Sequence, residues 1–143
     1  MEKTFNQNIK IGAGAIIVKD GKLLMTKRKG ALGQGSYGTV GGHVEYGEHP
    51  TETIKREAKE ELGIEIGNIK FLDCASSLKY GKHYIDISFT ADIISGKPKV
   101  MEPHRLESVQ WYRLDNLPEP IFEYVKFCLK AYKEKVSYFE DNE

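Results

Sequence analysis

Three glutamates, Glu57, Glu60 and Glu61, lie at spacings of three and four residues within one charged stretch of the chain. Pro50 suits the first turn of a helix and Gly63 stands where a left-handed residue usually ends one, so the sequence predicts a helix of about three turns between them. On a helix this spacing brings the carboxylates to one face, within side-chain reach of a common point. Like charges so close repel one another, and a divalent cation would reverse that repulsion.

Oxygen ligands that converge in this way suit a hard cation, and we predict Mg²⁺, with Mn²⁺ as the other candidate. Zinc is not predicted, because His43 and His49 precede the helix and lack the spacing of a zinc motif. The backbone carbonyl of Gly41, which with Gly42 interrupts a short predicted strand, is a further candidate ligand. A solvated acidic face is the alternative for glutamates at helical spacing, so the spacing alone does not decide between the two.

The elements that must hold this helix are predicted from alternation and turn residues. β-Branched and alternating stretches predict strands over residues 9–18, 22–26, 39–44, 69–78, 83–94 and 109–114. The first two form a predicted hairpin about Asp20-Gly21. The basic residues 27–29 and the glycine-rich residues 30–38 predict a loop without regular structure. Apolar residues at helical spacing predict a second helix over about 121–136, and the tail SYFEDNE is predicted to fray.

Strands therefore outnumber helices, and the two helices are far apart in sequence. This order is not that of a doubly wound parallel sheet, and it predicts an α+β fold, an α/β/α sandwich with a mixed β-sheet between helices. The length of 143 residues fits a single domain over residues 1–143. The sequence contains no repeat and no linker that would divide it.

Composition narrows the class of function. Apolar residues make up 40% of the chain and charged residues 29%, as in globular proteins. The formal net charge of zero argues against a nucleic acid polymer as the main partner and leaves small phosphorylated ligands open. No apolar run is long enough to cross a membrane and no secretion signal begins the sequence, so we predict a cytoplasmic protein.

A longer pattern surrounds the glutamates. Its order is Gly, five residues, Glu, seven residues, Arg-Glu, an aliphatic residue, any residue, Glu-Glu, any residue, Gly and an aliphatic residue. The positions in this chain are Gly42, Glu48, Arg56, Glu57, Ala58, Glu60, Glu61, Gly63 and Ile64. The pattern is that of the Nudix box, and the chain resembles the Nudix hydrolase family over most of its length. Two departures are minor: Ala58 is small for its aliphatic position, and His49 replaces a better capping residue.

The resemblance implies the Nudix fold and a set of roles. Glu57, Glu60 and Glu61 would bind divalent metal with help from the carbonyl of Gly41, and they are expected to be catalytic together with Arg56. Arg56 and Glu48 resemble the partners that orient such carboxylates, although a surface salt bridge is the alternative reading of that pair.

The sequence does not decide which residue is the base that activates water. Within the box the candidates are Glu57 and Glu61, and in a later loop they are Glu102 and Glu107, for which a solvated connection is as good a reading.

The flanking sequence resembles the MutT-like nucleotide diphosphatase branch. It implies Mg²⁺-dependent hydrolysis of a (deoxy)nucleoside triphosphate to the monophosphate and pyrophosphate, as in housekeeping of the nucleotide pool. The residues expected to bind substrate are Lys27, Arg28, Gly41, Gly42, Glu48, His83 and Tyr84. Tyr37 and Trp111 are further candidates for a wall against the base, and each aromatic could equally be ordinary core or surface.

Two alternatives remain at this level. One is hydrolysis of ADP-ribose, a nucleotide sugar or a dinucleoside polyphosphate. The other is a module that senses a nucleotide without hydrolysing it. Because the Nudix box is intact, this is the weaker interpretation. Homodimerisation, which is common in the family, is expected by analogy alone.

Overall fold

The computed structural model describes residues 8–30 and 33–141. The strands and helices, numbered along the chain, are β1 (Ile9–Lys19), β2 (Lys22–Arg28), β3 (Tyr37–Gly38), β4 (Val40–His43), α1 (Pro50–Leu62), β5 (Glu65–Ser77), β6 (His83–Ser95), β7 (Leu106–Arg113), α2 (Glu123–Glu134) and β8 (Tyr138–Asp141). A single 3₁₀ turn at Lys79–Gly81 joins β5 to β6. Neither helix in this described part of the chain has the length and apolar character needed to cross a bilayer.

Strand β1 is the centre of the sheet. It runs parallel to β6 from the Ile9–His83 pair to the Ile17–Ala91 pair, and antiparallel to the short strand β4. Only its last two residues pair with β2, which continues to β7 and β3. The predicted hairpin therefore exists, but most of β1 is committed to β4 and β6, so the two arms diverge after the turn.

The two faces of β1 bury different cores because side chains alternate along a strand. Ala13, Ala15 and Ile17 face α1, whose Ile54 and Leu62 are fully buried. On the other face, apolar side chains pack with α2. These are Ile16, Leu23, Met25, Val125 and Cys128. The mixed sheet thus has one helix on each side, and the predicted α/β/α sandwich is confirmed.

Helix α1 begins and ends where the sequence predicts. Pro50 occupies its first turn, and Gly63 ends it with φ of 68° and an N–H that donates to the carbonyl of Lys59. The side chain of His49 makes no capping hydrogen bond, but the Glu52 carboxylate reaches back to accept from the His49 N–H at 2.9 Å. The start of the helix is therefore better satisfied than His49 alone suggests.

Three expectations are corrected. Residues 138–141 of the tail do not fray, because they form β8, which pairs in parallel with Cys74–Ser77 of β5. The glycine-rich stretch is not wholly irregular, since Tyr37 and Gly38 pair with β2, while Ala31 and Leu32 lie outside the described residues. Helix α2 is shorter than predicted and spans Glu123–Glu134.

Candidate active site

Arg56 is the hub of the charged face of α1. Its Nε and Nη2 donate to the two oxygens of Glu48 at 2.8 and 3.0 Å, in a bidentate pair. Its Nη1 donates to Glu57 Oε1 at 2.6 Å, and Nη2 also donates to the backbone carbonyl of His43 at 3.1 Å. The hydrogen bonds of the Arg56 guanidinium thus link the loop before α1, the end of β4 and α1 itself.

Glu48 holds that hub in place. It accepts hydrogen bonds from Arg56, from the Thr53 hydroxyl at 2.7 Å and from the backbone N–H of Glu45 at 3.1 Å. These donors lower the pKa of Glu48 to about 2, and the same pair raises the pKa of Arg56. The two charges therefore persist across the physiological pH range, and Glu48 acts by fixing Arg56.

Glu57 and Glu61 are buried carboxylates on the same helix, with 6% and 7% of their surface exposed. Burial, and next the neighbouring carboxylate of Glu57, raise the pKa of Glu61 well above its ordinary range, while Arg105 and the backbone N–H of Gly41 lower it. Glu57 Oε2 is buried and has no hydrogen-bond partner among the described residues. Two adjacent buried carboxylates, one with an unsatisfied oxygen, form a site whose charge favours a cation.

The glycines of β4 let the strand approach this site. A Cβ atom at position 42 would lie 2.6 Å from the carboxyl carbon of Glu57, and one at position 41 would lie 2.8 Å from the carbonyl oxygen of Ala13. Both distances are below ordinary van der Waals contact. Glycine at position 42 therefore lets β4 pass beside the Glu57 carboxylate, and glycine at position 41 lets it pass beside the backbone of β1.

The three predicted ligands are not gathered at one point. Within residues 8–30 and 33–141, no three carboxylate, imidazole or thiolate side chains lie close enough together to hold a metal ion. Arg56 Nη1 lies between Glu57 Oε1 and Glu60 Oε2, 3.4 Å from the latter, and Glu60 is half exposed. Glu57 and Glu61 fit a divalent cation by charge and burial, and the full ligand set stays a prediction.

A cavity of about 510 Å³ opens beside this face and reaches the α2 side of the sheet. Its size is within the range of small-ligand sites. Strands β1 and β4 line it mainly with backbone, at Gly12, Gly14, Gly41 and Gly42. Glu57 and Arg56 of α1 lie along the same cavity, so the charged face of the helix is part of its wall.

Aromatic rings form the opposite part of the cavity. The Tyr84 ring stacks on His43 with centroids 5.6 Å apart, and its hydroxyl lies 3.0 Å from His43 Nε2. Tyr124 at the start of α2 contacts both Tyr84 and Phe122, with centroids 5.0 and 5.4 Å apart. Such a surface can stack against a planar base.

Three basic side chains line the cavity besides Arg56, namely Arg28, Lys82 and Arg105. Arg28 lies over the Phe122 ring at 4.0 Å, and burial lowers its pKa. Arg105 lies 3.5 Å from Glu102 across a turn that follows Met101, whose N–H donates to the carbonyl of Glu61. Positive charge is thus placed near the end of α1, where phosphates could be bound.

The predicted site residues separate into those that line the cavity and those that do not, and Glu48, Glu60 and Glu61 belong to the second group. Those that line the cavity are Arg28, Gly41, Gly42, Arg56, Glu57 and Tyr84. Lys27 and Glu107 instead form a salt bridge of 3.0 Å with each other, and neither lines the cavity. His83 contacts Ser76 at 3.1 Å. His83 precedes the cavity residue Tyr84 on β6, so alternation turns its side chain to the opposite face. In β2 a register shift falls between Lys27 and the cavity residue Arg28, and Lys27 lies over the Tyr37 ring.

Two further predicted base contacts also lie elsewhere. Tyr37 packs edge-on against Tyr112 at 5.7 Å, beside the α2 core, and Trp111 packs against the α1 core. Neither lines the cavity.

Several cavity residues were not anticipated from the sequence. They are His43, Lys82, Asp86, Arg105, Phe122 and Tyr124. The only available signal was in β6, where polar Tyr84, Asp86 and Ser88 alternate with Ile85 and Ile87, of which Ile87 packs against the α1 core. That pattern was consistent with a strand whose polar face is exposed to solvent. The polar face forms the floor of a cavity because α2 lies on that side of the sheet.

The sequence pattern of the NUDIX domain matches residues 9–131, and the chain belongs to the Nudix family. Members of this family are pyrophosphohydrolases that act on nucleotide diphosphate linkages and generally use divalent metal ions. The resemblance drawn from Gly42 to Ile64 is thereby confirmed.

Individual relatives have different described activities. The chain is 35% identical over 119 residues to an ADP-ribose pyrophosphatase of Methanocaldococcus jannaschii, which covers 81% of this chain and 69% of that protein. It is 31% identical over 103 residues to the NAD-capped RNA hydrolase NudC of Pseudomonas aeruginosa, covering 72% of this chain. The chain spans only 36% of the length of NudC.

Among solved structures, a MutT NUDIX hydrolase from Burkholderia pseudomallei is similar, with a TM-score of 0.83 and 35% identity. The similarity covers 87% of this chain and 98% of the other. The match therefore leaves little of that solved chain outside the shared domain.

Proposed function

We propose that this chain hydrolyses a (deoxy)nucleoside triphosphate to the monophosphate and pyrophosphate, with Mg²⁺ as the metal and Mn²⁺ as a substitute. The observation that carries the proposal is that one cavity joins the Glu57 face of α1, three basic side chains and an aromatic wall. These features match the three parts of the substrate, namely the reacting phosphorus, the anionic phosphate chain and the base.

The reaction requires water to attack one phosphorus while the anhydride bond to the neighbouring phosphate breaks, with the water proton taken by a base. A divalent cation held by Glu57, Glu60 and Glu61, with help from the Gly41 carbonyl, would acidify water and neutralise phosphate charge. Arg28, Lys82 and Arg105 bind phosphate oxygens in this proposal. Three cations in one cavity suit the higher charge of a triphosphate better than that of a single diphosphate.

Arg56 is a positioning residue in this scheme. Its bidentate pair with Glu48 fixes the guanidinium, and its bond to Glu57 Oε1 fixes the rotamer of that carboxylate. A carboxylate whose orientation is fixed loses less side-chain entropy when it binds a cation.

Among the loop candidates for the base, we propose Glu102 over Glu107. Glu102 lies by Arg105, a cavity residue, and one of its oxygens is buried, whereas Glu107 is committed to Lys27. Glu57 and Glu61 remain the candidates within the helix. A fall in kcat on Glu102→Gln, with no fall on Glu107→Gln, is the expected result, and the reverse order would reject this choice.

A second candidate substrate is ADP-ribose, because the Methanocaldococcus jannaschii relative at 35% identity is described as an ADP-ribose pyrophosphatase. A panel of kcat/KM values separates the two. It should contain the common nucleoside triphosphates, ADP-ribose, a nucleotide sugar, a dinucleoside polyphosphate and NAD, each with Mg²⁺. A triphosphate with the highest kcat/KM supports our proposal, and ADP-ribose or NAD above every triphosphate overturns it.

The same assay separates an enzyme from a nucleotide sensor. Glu60→Gln should abolish most pyrophosphate release, and Glu134→Gln, at an exposed carboxylate of α2, is the matched control that should not. Binding of nucleotides without turnover by the wild-type chain would favour the sensor. Turnover that survives complete chelation, or that is unchanged in Glu60→Gln, would remove the metal site from the mechanism.

A further inference from the structure

Asp86 is a carboxylate in the floor of the cavity that the hydrolytic chemistry does not use. It lies in β6 directly beside Gly12 of β1, and both residues line the cavity. A Cβ atom at position 12 would collide with Asp86 Oδ1. Because Gly12 has no side chain, the Asp86 carboxylate can occupy the space beside it.

One oxygen of the Asp86 carboxylate is not satisfied by the described residues. Its Oδ2 is buried without a hydrogen-bond partner in the described part of the chain. Burial, and next the charge of nearby Asp73, raise the pKa of Asp86 to about 6. Asp73 in β5 is itself fully buried, and burial raises its pKa to about 6 as well. A buried acceptor without a donor lowers stability, and a ligand that supplies donors would remove that penalty.

The side chains around Asp86 indicate what kind of hydrogen-bond donor would fit beside its carboxylate. Tyr84, two residues earlier on the same face of β6, and Tyr124 of α2 present their rings in the same cavity. The carboxylate thus lies beside a stacking surface and on the opposite side of the sheet from the core of α1. A planar group with N–H donors on its edge fits both features.

We propose that Asp86 selects the nucleobase, with its carboxylate accepting hydrogen bonds from the N1–H and N2–H groups of guanine held against the Tyr84 and Tyr124 rings. This inference rests on the proposed function, because it assumes a nucleotide in the cavity. Guanine presents two adjacent donors, which match the two oxygens of a carboxylate. Adenine presents the acceptor N1 beside its amino group, and cytosine presents N3 in the same way, so each places a lone pair against the carboxylate.

The test compares guanine with adenine in wild-type protein and in Asp86→Asn. We expect kcat/KM for GTP to exceed that for ATP by about 100-fold in the wild type, the effect of one well-matched bidentate pair. Inosine triphosphate, which lacks the 2-amino group, should lie between them. An amide can donate to N1 of adenine and accept from its amino group, so Asp86→Asn should reduce the ratio to about 1 or invert it.

Two controls address folding and placement. Asp115→Asn, at a carboxylate that is 67% exposed and pairs with Arg113, should leave the ratio at its wild-type value. Gly12→Ala retains Asp86 but displaces its carboxylate, so it should also lower the guanine preference. If Asp86→Asn does not fold, Gly12→Ala and Asp86→Glu give the same comparison.

The outcomes separate this inference from the proposed function. The guanine-to-adenine ratio is also measured with GDP-linked and ADP-linked sugars, and by calorimetric binding of GMP and AMP, so it does not require triphosphate turnover. A guanine preference that Asp86→Asn removes supports the inference, even if a diphosphate-linked substrate proves to be the better one. Equal use and binding of the two bases by the wild type, or an equal loss for both in Asp86→Asn, overturns it.

Discussion

The charged face of α1 and the cavity wall against α2 differ in how their charges are satisfied. Arg56 on α1 has a partner for nearly every N–H, and Glu48 has donors on both oxygens. In the cavity wall, Oδ2 of Asp86 is buried without a hydrogen-bond partner among the described residues. The first region is preorganised by the protein alone, whereas we propose that the second is completed by a bound base.

The two regions also differ in how far apart their residues lie in the sequence. Residues 41–61 supply the whole charged face, through the geometry of one helix and the strand before it. The cavity wall combines Gly12, Asp86 and Tyr124, which come from β1, β6 and α2 and meet only when the sheet and α2 have packed. The residues of the charged face are therefore local in the chain, whereas the residues that we propose select the substrate are dispersed through the fold.

The largest effect is expected at Glu57. Replacing it with Gln removes the charge of a buried carboxylate that lines the cavity and contacts Arg56. The loss of several kcal/mol of charge stabilisation corresponds to a fall in kcat of about 10³-fold for every nucleotide. Single-turnover rates measure it, with Glu134→Gln as the control. A fall in kcat that differs between nucleobases would show that Glu57 also contributes to selection of the nucleobase.

Arg56→Lys tests the preorganisation of α1. Lysine keeps the positive charge but cannot form the bidentate pair with Glu48 while donating to Glu57. Loss of such an orienting partner should weaken the apparent Mg²⁺ affinity by about 10- to 100-fold. The measurement is the Mg²⁺ concentration that gives half-maximal activity. Partial recovery at high Mg²⁺ is expected, and a defect that no Mg²⁺ concentration relieves would contradict the positioning role.

Tyr124→Leu tests the aromatic wall. Leucine keeps an apolar side chain but removes the ring that contacts Tyr84 and Phe122. Loss of one stacking surface, worth about 1–3 kcal/mol per base, should raise KM by about 10-fold and leave kcat nearly unchanged. Initial rates across substrate concentration separate the two constants, and a fall in kcat with constant KM would exclude a stacking role.

The smallest effect is expected in stability. Burial raises the pKa of Asp73 to about 6 from its ordinary value of 3.8, so the folded state binds this proton more tightly than the unfolded state. The resulting stabilisation is fully present below pH 4 and is lost as the pH rises through about 6. Asp73→Asn removes the charge that is unfavourable at high pH. Its Tm should rise on the order of 3 °C at pH 8 and change little at pH 4.

Calorimetric unfolding at the two pH values checks this, with Asp115→Asn as the exposed control. An equal shift at both pH values would show that titration of Asp73 is not the cause. Because the charge of Asp73 also raises the pKa of Asp86, the variant should lower that second pKa too.

The difference in locality explains which features the sequence could predict. The ends of α1 were predictable because Pro50 and Gly63 determine them by local backbone chemistry. The position of Arg28 rather than Lys27 at the cavity was not, because a register shift in β2 falls between these two residues. Strand β8 was missed because its parallel pairing with β5 joins segments far apart in the chain and has no local turn signal. Asp86 was visible only as one polar residue in an alternating strand.

The central claim is that the divalent cation binds to α1 and not to Asp86 in the cavity wall. Titration of Mn²⁺ into nucleotide-free protein, with free Mn²⁺ followed by electron paramagnetic resonance, tests it without any assumption about substrate. Glu57→Gln should weaken Mn²⁺ binding at least about 10-fold, whereas Asp86→Asn should bind Mn²⁺ as the wild type does. Loss of binding in Asp86→Asn, with wild-type affinity in Glu57→Gln, would contradict this assignment of the two regions.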